Sequence, residues 1–470
     1  MLTARQQSQF PPLVSQDRRV PTILGHDIAY LDADVAATTR PLEIVQEKVL
    51  EFLATYGSVH RGSGANSRLS TEIFIAARQA ILELVDADPL NTLLCVTSNT
   101  TAAVNKLRRK LDLRAEQGDT VVLSEFEHSS NDLPWRGLNP VHIPSGDDGL
   151  LDLNALEDEL ARKPGKSRVL VAVTGASNLT GALTPLDQIA RITHRHGGML
   201  FVDAAQLAGH RAISMLGSGQ GDHIDFLAFA GHKMYAPFGA GVLLGDARLL
   251  SATPPDEIGG GTVDFVTLAQ FDLAREAFRR ENSGTPNAVG IVAMAVAGKV
   301  LKERIGFAAI SRHEQELLDT ARERFSQIDG AHVLGELDYS AQRKCAILSF
   351  VLDGHPHALL AARLSHEFGI GVRHGHLCQF AYLARLLGLS PQEVATIRGE
   401  VLNGHRAAMY GVVRASFGIG NCVEDVLRIG DALEEIAATP QRRQLYTCNA
   451  GGEWTANGAP AIDAAEFFRT

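Results

Sequence analysis

The sequence predicts an α/β protein, a large and mostly parallel sheet domain followed by a smaller C-terminal α+β domain, and three observations carry that prediction. Short apolar runs at 93–96, 121–124, 169–173, 199–202, 226–229 and 242–244 alternate with amphipathic helical stretches. Runs without polar alternation suit parallel strands covered by helices on both faces. The runs near 203 and 230 end in polar residues, and open α/β sheets bind ligands beyond the carboxyl ends of their strands. Finally, 470 residues exceed what one core usually holds, which favours a second unit.

In chain order, residues 1–35 are expected to form an N-terminal segment lying on the small domain, 36–295 the large domain, 296–440 the small domain and 441–470 a tail. The helix between the third and fourth runs is well signalled. Thr184 and Pro185 stand as N-cap and first helical residue, Leu186, Ile189, Ala190 and Thr193 follow at helical spacing, and Gly197 and Gly198 stop it. A helical region begins after Pro286, runs to about Gly306 and resumes over 314–325. Beyond it, 346–352, 370–373 and 411–417 read as strands, with amphipathic stretches at 382–389 and 391–402. The Gly-, Ala-, Asn- and Thr-rich end from about Gln441 is expected to pack loosely.

Composition removes several function classes. Against 44 basic residues stand 54 acidic ones, and the net charge of −10 argues against a nucleic-acid or anionic-membrane partner. The first 21 residues lack the apolar core of a signal peptide, and no apolar run approaches the roughly 18 residues a membrane span needs. Five cysteines form neither an even framework nor a C-x-x-C pair, so the expected compartment is the reducing cytoplasm. Motifs for P-loop nucleotide hydrolysis, Rossmann dinucleotide binding, zincin chemistry and the α/β-hydrolase nucleophile are absent.

What remains is a set of polar groups at strand ends. The run Phe201-Val202-Asp203 ends in a carboxylate, and the next run ends in Gly231-His232-Lys233. An acid and a lysine on one rim suit pyridoxal 5′-phosphate, which needs an amine to condense with its aldehyde and an acid to keep its ring nitrogen protonated. Taken singly, Asp203 could be a helix cap and Lys233 a solvated loop residue.

Together with their neighbours, these segments resemble the class V aminotransferases, over residues 30–427, and within them the group II cysteine desulfurase and selenocysteine lyase branch. Gly231-His232-Lys233-Met234-Tyr235-Ala236-Pro237 is similar to the family's lysine segment and Phe201 to Gln206 to its acid-bearing strand. Glu127-His128-Ser129-Ser130-Asn131 with Pro134-Trp135 resembles the segment whose histidine stacks on the cofactor. The resemblance implies fold type I, with Lys233, Asp203, His128 and Cys378 as catalytic residues. It implies a phosphate site from Thr100 and Thr101 at a helix start, helped by His232 and by Thr285 reaching across a homodimer interface. It also implies Asn178 and Gln206 beside the ring, and Arg373, Asn178 and Arg414 at the amino-acid substrate.

In Gly371-Val372-Arg373-His374-Gly375-His376-Leu377-Cys378, two histidines and a cysteine could suggest a metal, but donors so close in sequence leave a fourth unexplained, and none is expected. The resemblance instead makes Cys378 a thiol that takes sulfur as a persulfide and passes it to an acceptor protein. Arg373, His374 and His376 are expected to surround that thiol with positive charge. The alternative is an aminotransferase, epimerase or carbon–sulfur lyase for another amino acid, with Cys378 structural. Ala230, Ala102, Gln379-Phe380 and the long interval from Cys378 to Arg414 depart from the family pattern.

Overall fold

The structure, a computed structural model, describes residues 10–60, 62–146, 149–162, 167–335, 343–459 and 464–469. Its main sheet has strands β1 (Thr92–Thr97), β2 (Thr120–Ser124), β3 (Val141–Ile143), β4 (Val169–Thr174), β5 (Met199–Asp203), β6 (Phe226–Ala230) and β7 (Gly241–Asp246). Their spatial order is β1-β7-β6-β5-β4-β2-β3. Only β7 runs against its neighbours; every other pairing is parallel. Strands β4 and β6 are buried along their whole length, as their unbroken apolar runs require. The edge strand β3 escapes the sequence pattern because it is three residues long and half-buried.

The helix after β4 spans Leu186–Arg195, with Pro185 at its N-cap. It starts one residue later than expected because the Thr184 hydroxyl donates to the Thr174 carbonyl at 2.6 Å instead of capping the helix. After Pro286, the helix Ala288–Lys299 passes through a wide turn at Val300–Ile305 into the helix Phe307–Phe325, which starts earlier than the expected 314.

A second sheet has strands β8 (Ala331–Val333), β9 (Ile347–Leu352), β10 (Arg373–Gly375) and β11 (Val412–Ser416) in the antiparallel order β8-β9-β11-β10. It has its own apolar core against the helices Phe307–Phe325 and Val423–Ala438. The single strand expected at 370–373 is divided between two partners. Ile370 and Gly371 pair in parallel with Leu31 and Asp32, and the chain then turns to lay β10 against β11. Helices Phe380–Leu386 and Pro391–Leu402 follow the loop after β10, the second opened by a Ser390–Glu393 capping box.

The end of the chain is less loose than its composition suggests. Tyr446–Cys448 and Trp454–Ala456 form a hairpin, and the buried Tyr446 donates its hydroxyl to Glu367 at 3.1 Å. A few aromatic contacts anchor a segment whose overall polarity hides them. Among the described residues no helix is long and apolar enough to cross a membrane.

Candidate active site

A cavity of about 520 Å³ opens at the carboxyl ends of β1, β4, β5 and β6, and the segment 373–378 with β11 closes its other side. It brings together the residues singled out in the sequence except Thr285, which is exposed in a separate pocket beside Lys106 and Arg109.

On the sheet side, Lys233 ends a single helical turn after β6. Its buried amine is pushed down to about 8, by burial first and then by Arg414 and Arg373, against the pull of Asp203 and Cys378. Asp203 closes β5 and is 2% exposed. Burial raises its pKa above the usual carboxylate range, while the Ala205 N–H donated at 2.9 Å and the positive Lys233 act the other way. Gln206 donates its amide to the Ala36 carbonyl at 2.6 Å.

His128 precedes a short helical turn, and its Nδ1 accepts the Ser130 N–H at 3.1 Å, which leaves the proton of the neutral ring on Nε2. Burial, then Lys233 and Arg414, push this histidine down to about 4, so the ring is uncharged at neutral pH. Burial and Lys233 also lower His232. At the far end Asn99 caps the helix Thr100–Leu111 by accepting the Ala102 N–H at 2.9 Å. The Thr100 hydroxyl is buried there without a hydrogen-bond partner. An orphan hydroxyl beside the free N–H groups of a helix start is a site for an anion such as a phosphoryl group.

On the loop side, Arg414 is 3% exposed. It donates through Nη1 to the Asn178 carbonyl at 2.9 Å and through Nη2 to Asp34 Oδ1 at 3.0 Å, while its buried Nε has no partner. Burial lowers its pKa. Arg373 reaches the other oxygen of Asp34 at 3.2 Å.

Leu377 and Cys378 both have left-handed backbones, with φ 51° and 59°. For residues other than glycine this costs roughly 1–2 kcal/mol each, so surrounding bonds must hold the loop. The Cys378 carbonyl accepts from the Ser129 N–H at 3.0 Å and the Ser129 hydroxyl at 2.9 Å. The Leu377 carbonyl accepts from the Asn178 amide at 2.8 Å, and Gln379 donates to the Phe126 carbonyl at 2.6 Å and to Asn178 Oδ1 at 2.9 Å.

Asn178, expected at the cofactor ring, lines the cavity and also bonds the loop through its side chain. One expectation needs revision. The histidines do not surround Cys378 with charge. Burial, then His357 and Arg373, push His374 down to about 4, and burial, then His357, lower His376, so Arg373 is the loop's cation at neutral pH. Among the described residues, the donor groups close enough to share a metal ion are His194, His223 and Asp225, and His210, Glu314 and Cys345, both sets outside the cavity.

Sequence reasoning missed Asp34, Ser129, Ser130 and Gln379 as parts of this site. Ser130 could have been found from its place two residues after His128, where a backbone N–H can turn back on the ring. Asp34 carried a weaker signal, the second of two acids, with Asp32, in the otherwise apolar stretch from Leu31 to Ala37.

The class-V aminotransferase family description matches residues 29–429. This chain belongs to that family. Among the proteins similar to this chain is a probable cysteine desulfurase of Halalkalibacterium halodurans, 33% identical over 364 residues that cover 75% of this chain and 84% of the relative. A cysteine desulfurase of Dickeya dadantii is 33% identical over 77% of this chain and 86% of its own length. Among solved structures, the apo cysteine desulfurase of Thermococcus onnurineus NA1 superposes with a TM-score of 0.73 at 29% identity, covering 87% of this chain and 95% of the other. The cysteine desulfurase CsdA of Escherichia coli gives 0.71 at 27% identity over 87% and 95% of the two chains.

Proposed function

We propose that this class-V aminotransferase is a pyridoxal 5′-phosphate-dependent cysteine desulfurase of the cytoplasm that also accepts selenocysteine, and that it works as a homodimer. The observation that carries this reading is that Lys233, Arg414 and Cys378 face one cavity from three different segments. An amine for an aldehyde, a guanidinium for a carboxylate and a thiol for sulfur are the three contacts that desulfuration of an α-amino acid needs.

The residues present fit the cofactor. The orphan Thr100 hydroxyl, with Thr101 and His232, would hold the phosphate, Lys233 the aldehyde and Asp203 the ring nitrogen, with Asn178 and Gln206 as the amides available to the ring. Thr285, exposed outside its own cavity, serves the phosphate of the second subunit. When bound, pyridoxal phosphate supplies an electron sink for the substrate α-carbon.

The chain's own groups do the rest. The unpartnered Nε of Arg414 offers a hydrogen bond to the substrate carboxylate. Asp203 would keep a proton on the ring nitrogen, and the uncharged His128 ring would lie against the cofactor without adding a competing cation. Lys233, with its pKa near 8, is suited to accept the α-proton and return it near neutral pH. Cys378 attacks the substrate sulfur, and the electron pair of the breaking C–S bond stays with the substrate carbon, which takes up a proton. Cysteine and enzyme thiol thus become alanine and enzyme persulfide without an outside oxidant. The half-exposed Cys378 then hands its sulfur to an acceptor protein.

The test is to measure alanine and sulfide release from cysteine by wild type and Cys378→Ala, and to map the persulfide on the peptide by mass spectrometry. Loss of cysteine turnover in the variant, with the cofactor's visible band retained and the persulfide on Cys378 of wild type, supports the reading. Full activity of Cys378→Ala, or turnover of another amino acid but not cysteine, replaces it with a lyase or aminotransferase in which Cys378 is structural.

A further inference from the structure

Arg373 and Arg414 face each other directly across the β10–β11 ladder. Like charges in opposed positions of an antiparallel pair destabilise it unless a counter-charge intervenes. Asp34 is that counter-charge, with one carboxylate oxygen 3.0 Å from Arg414 Nη2 and the other 3.2 Å from Arg373 Nε. Its position is fixed by backbone. Asp34 bridges to Ser416 at the end of β11, where the Ser416 N–H donates to the Ala33 carbonyl at 2.8 Å and the Ala36 N–H to the Ser416 hydroxyl at 3.0 Å.

Two guanidinium groups and one carboxylate leave a single positive charge. The two arginines also differ in what they have left to offer. Arg414 is buried with an unsatisfied Nε, whereas Arg373 is half exposed and lies on the same short segment as Cys378, toward which the substrate side chain must point. Without Asp34, Arg373 would be an unneutralised cation beside that side chain, suited to a sulfinate or a second carboxylate.

We propose that Asp34 is a specificity-determining residue that occupies Arg373, so that the arginine pair receives one α-carboxylate and the enzyme selects amino acids with uncharged side chains over acidic ones. This rests on the reading of Arg414 as the carboxylate receptor and deepens it. Asp34 need not touch the substrate; it acts through Arg373.

The experiment uses holoenzyme. Isothermal titration of wild type with L-alanine and L-aspartate, neither of which needs Cys378, is expected to show alanine binding the more tightly. Equal or tighter binding of aspartate overturns the proposal without any variant. In Asp34→Asn the preference should move toward aspartate by about tenfold, and kcat/KM for cysteine sulfinate relative to cysteine should move the same way, mainly through KM. Adding Arg373→Gln to Asp34→Asn should return the preference to the wild-type value, because the cation that Asp34 occupies is then gone. A merely structural Asp34 would lower both substrates alike and would not be corrected by the second substitution; either result overturns the proposal. Failure of cysteine turnover with the neutral-over-acidic preference intact would remove the desulfurase reading and leave this one standing.

Discussion

The two walls of the cavity are held by different means. Asp203 and Lys233 stand at the ends of adjacent parallel strands, where Asp203 pairs with Ala228 in register and Lys233 follows three residues after Ala230. Their place follows from the sheet itself. Cys378 stands on a segment whose two left-handed residues are held by Ser129, Asn178 and Gln379, from parts of the chain about 200 or more residues away or next to the loop itself. A wall of strand ends tolerates changes around it; a wall of borrowed carbonyl bonds depends on each donor.

The largest effect should come from the sheet wall. Lys233→Ala is expected to abolish turnover, and borohydride should no longer fix the cofactor to any peptide, as read by mass spectrometry; a label on another lysine would misplace the amine. On the loop wall, Arg414→Lys keeps a charge but loses the Nε–H left for the carboxylate and the bonds to Asn178 and Asp34 that aim it, so kcat/KM for cysteine should fall by roughly 1–3 kcal/mol of transition-state binding. Unchanged kinetics in a folded variant would put the substrate carboxylate elsewhere.

A smaller effect should separate the walls themselves. Ser129→Ala removes one of the two donors to the Cys378 carbonyl, a change of about 1 kcal/mol. It should slow sulfide release severalfold while the visible cofactor band and alanine binding stay as in wild type. If the band shifts instead, the walls are not independent.

The mildest test needs no loss of activity. Because only the unprotonated amine can attack an aldehyde, the rate of cofactor loading onto apo-enzyme should rise with pH with its midpoint at about 8, the value to which burial pushes Lys233, rather than in the ordinary lysine range. Asp203 opposes that lowering, so Asp203→Asn should move the midpoint further down. A midpoint above that of wild type would mean that Asp203 does not act on Lys233.

The same contrast explains what the sequence made legible. An apolar run marks where a strand ends, and so Asp203, Lys233 and the Thr100 helix start could be read with their neighbours. Ser129 and Gln379 matter through bonds to the backbone of remote segments, and no local pattern announces a partner 249 or 253 residues away. Asp34 is similar, since the register that places it against Arg414, 380 residues on, exists only after the N-terminal strand has paired with Ile370 and Gly371. The histidines near Cys378 are another case: sequence shows that a residue can carry charge, and its surroundings, here partial desolvation and the nearby His357 and Arg373, decide whether it does.

Strand β7 has a consequence of its own. Running against both neighbours, it separates β1 from β6 while letting those two point the same way, so the Thr100 helix start and the Lys233 turn share one rim, two strand spacings or about 9–10 Å apart. At that rim β7 contributes only Gly241, opposite Thr97 on one side and Ala230 on the other. A Cβ there would come within 2.7 Å of the Asn99 backbone, so the position adds width without adding a side chain. The reversed strand therefore acts as a ruler, setting the length of any molecule that is to be gripped at both ends.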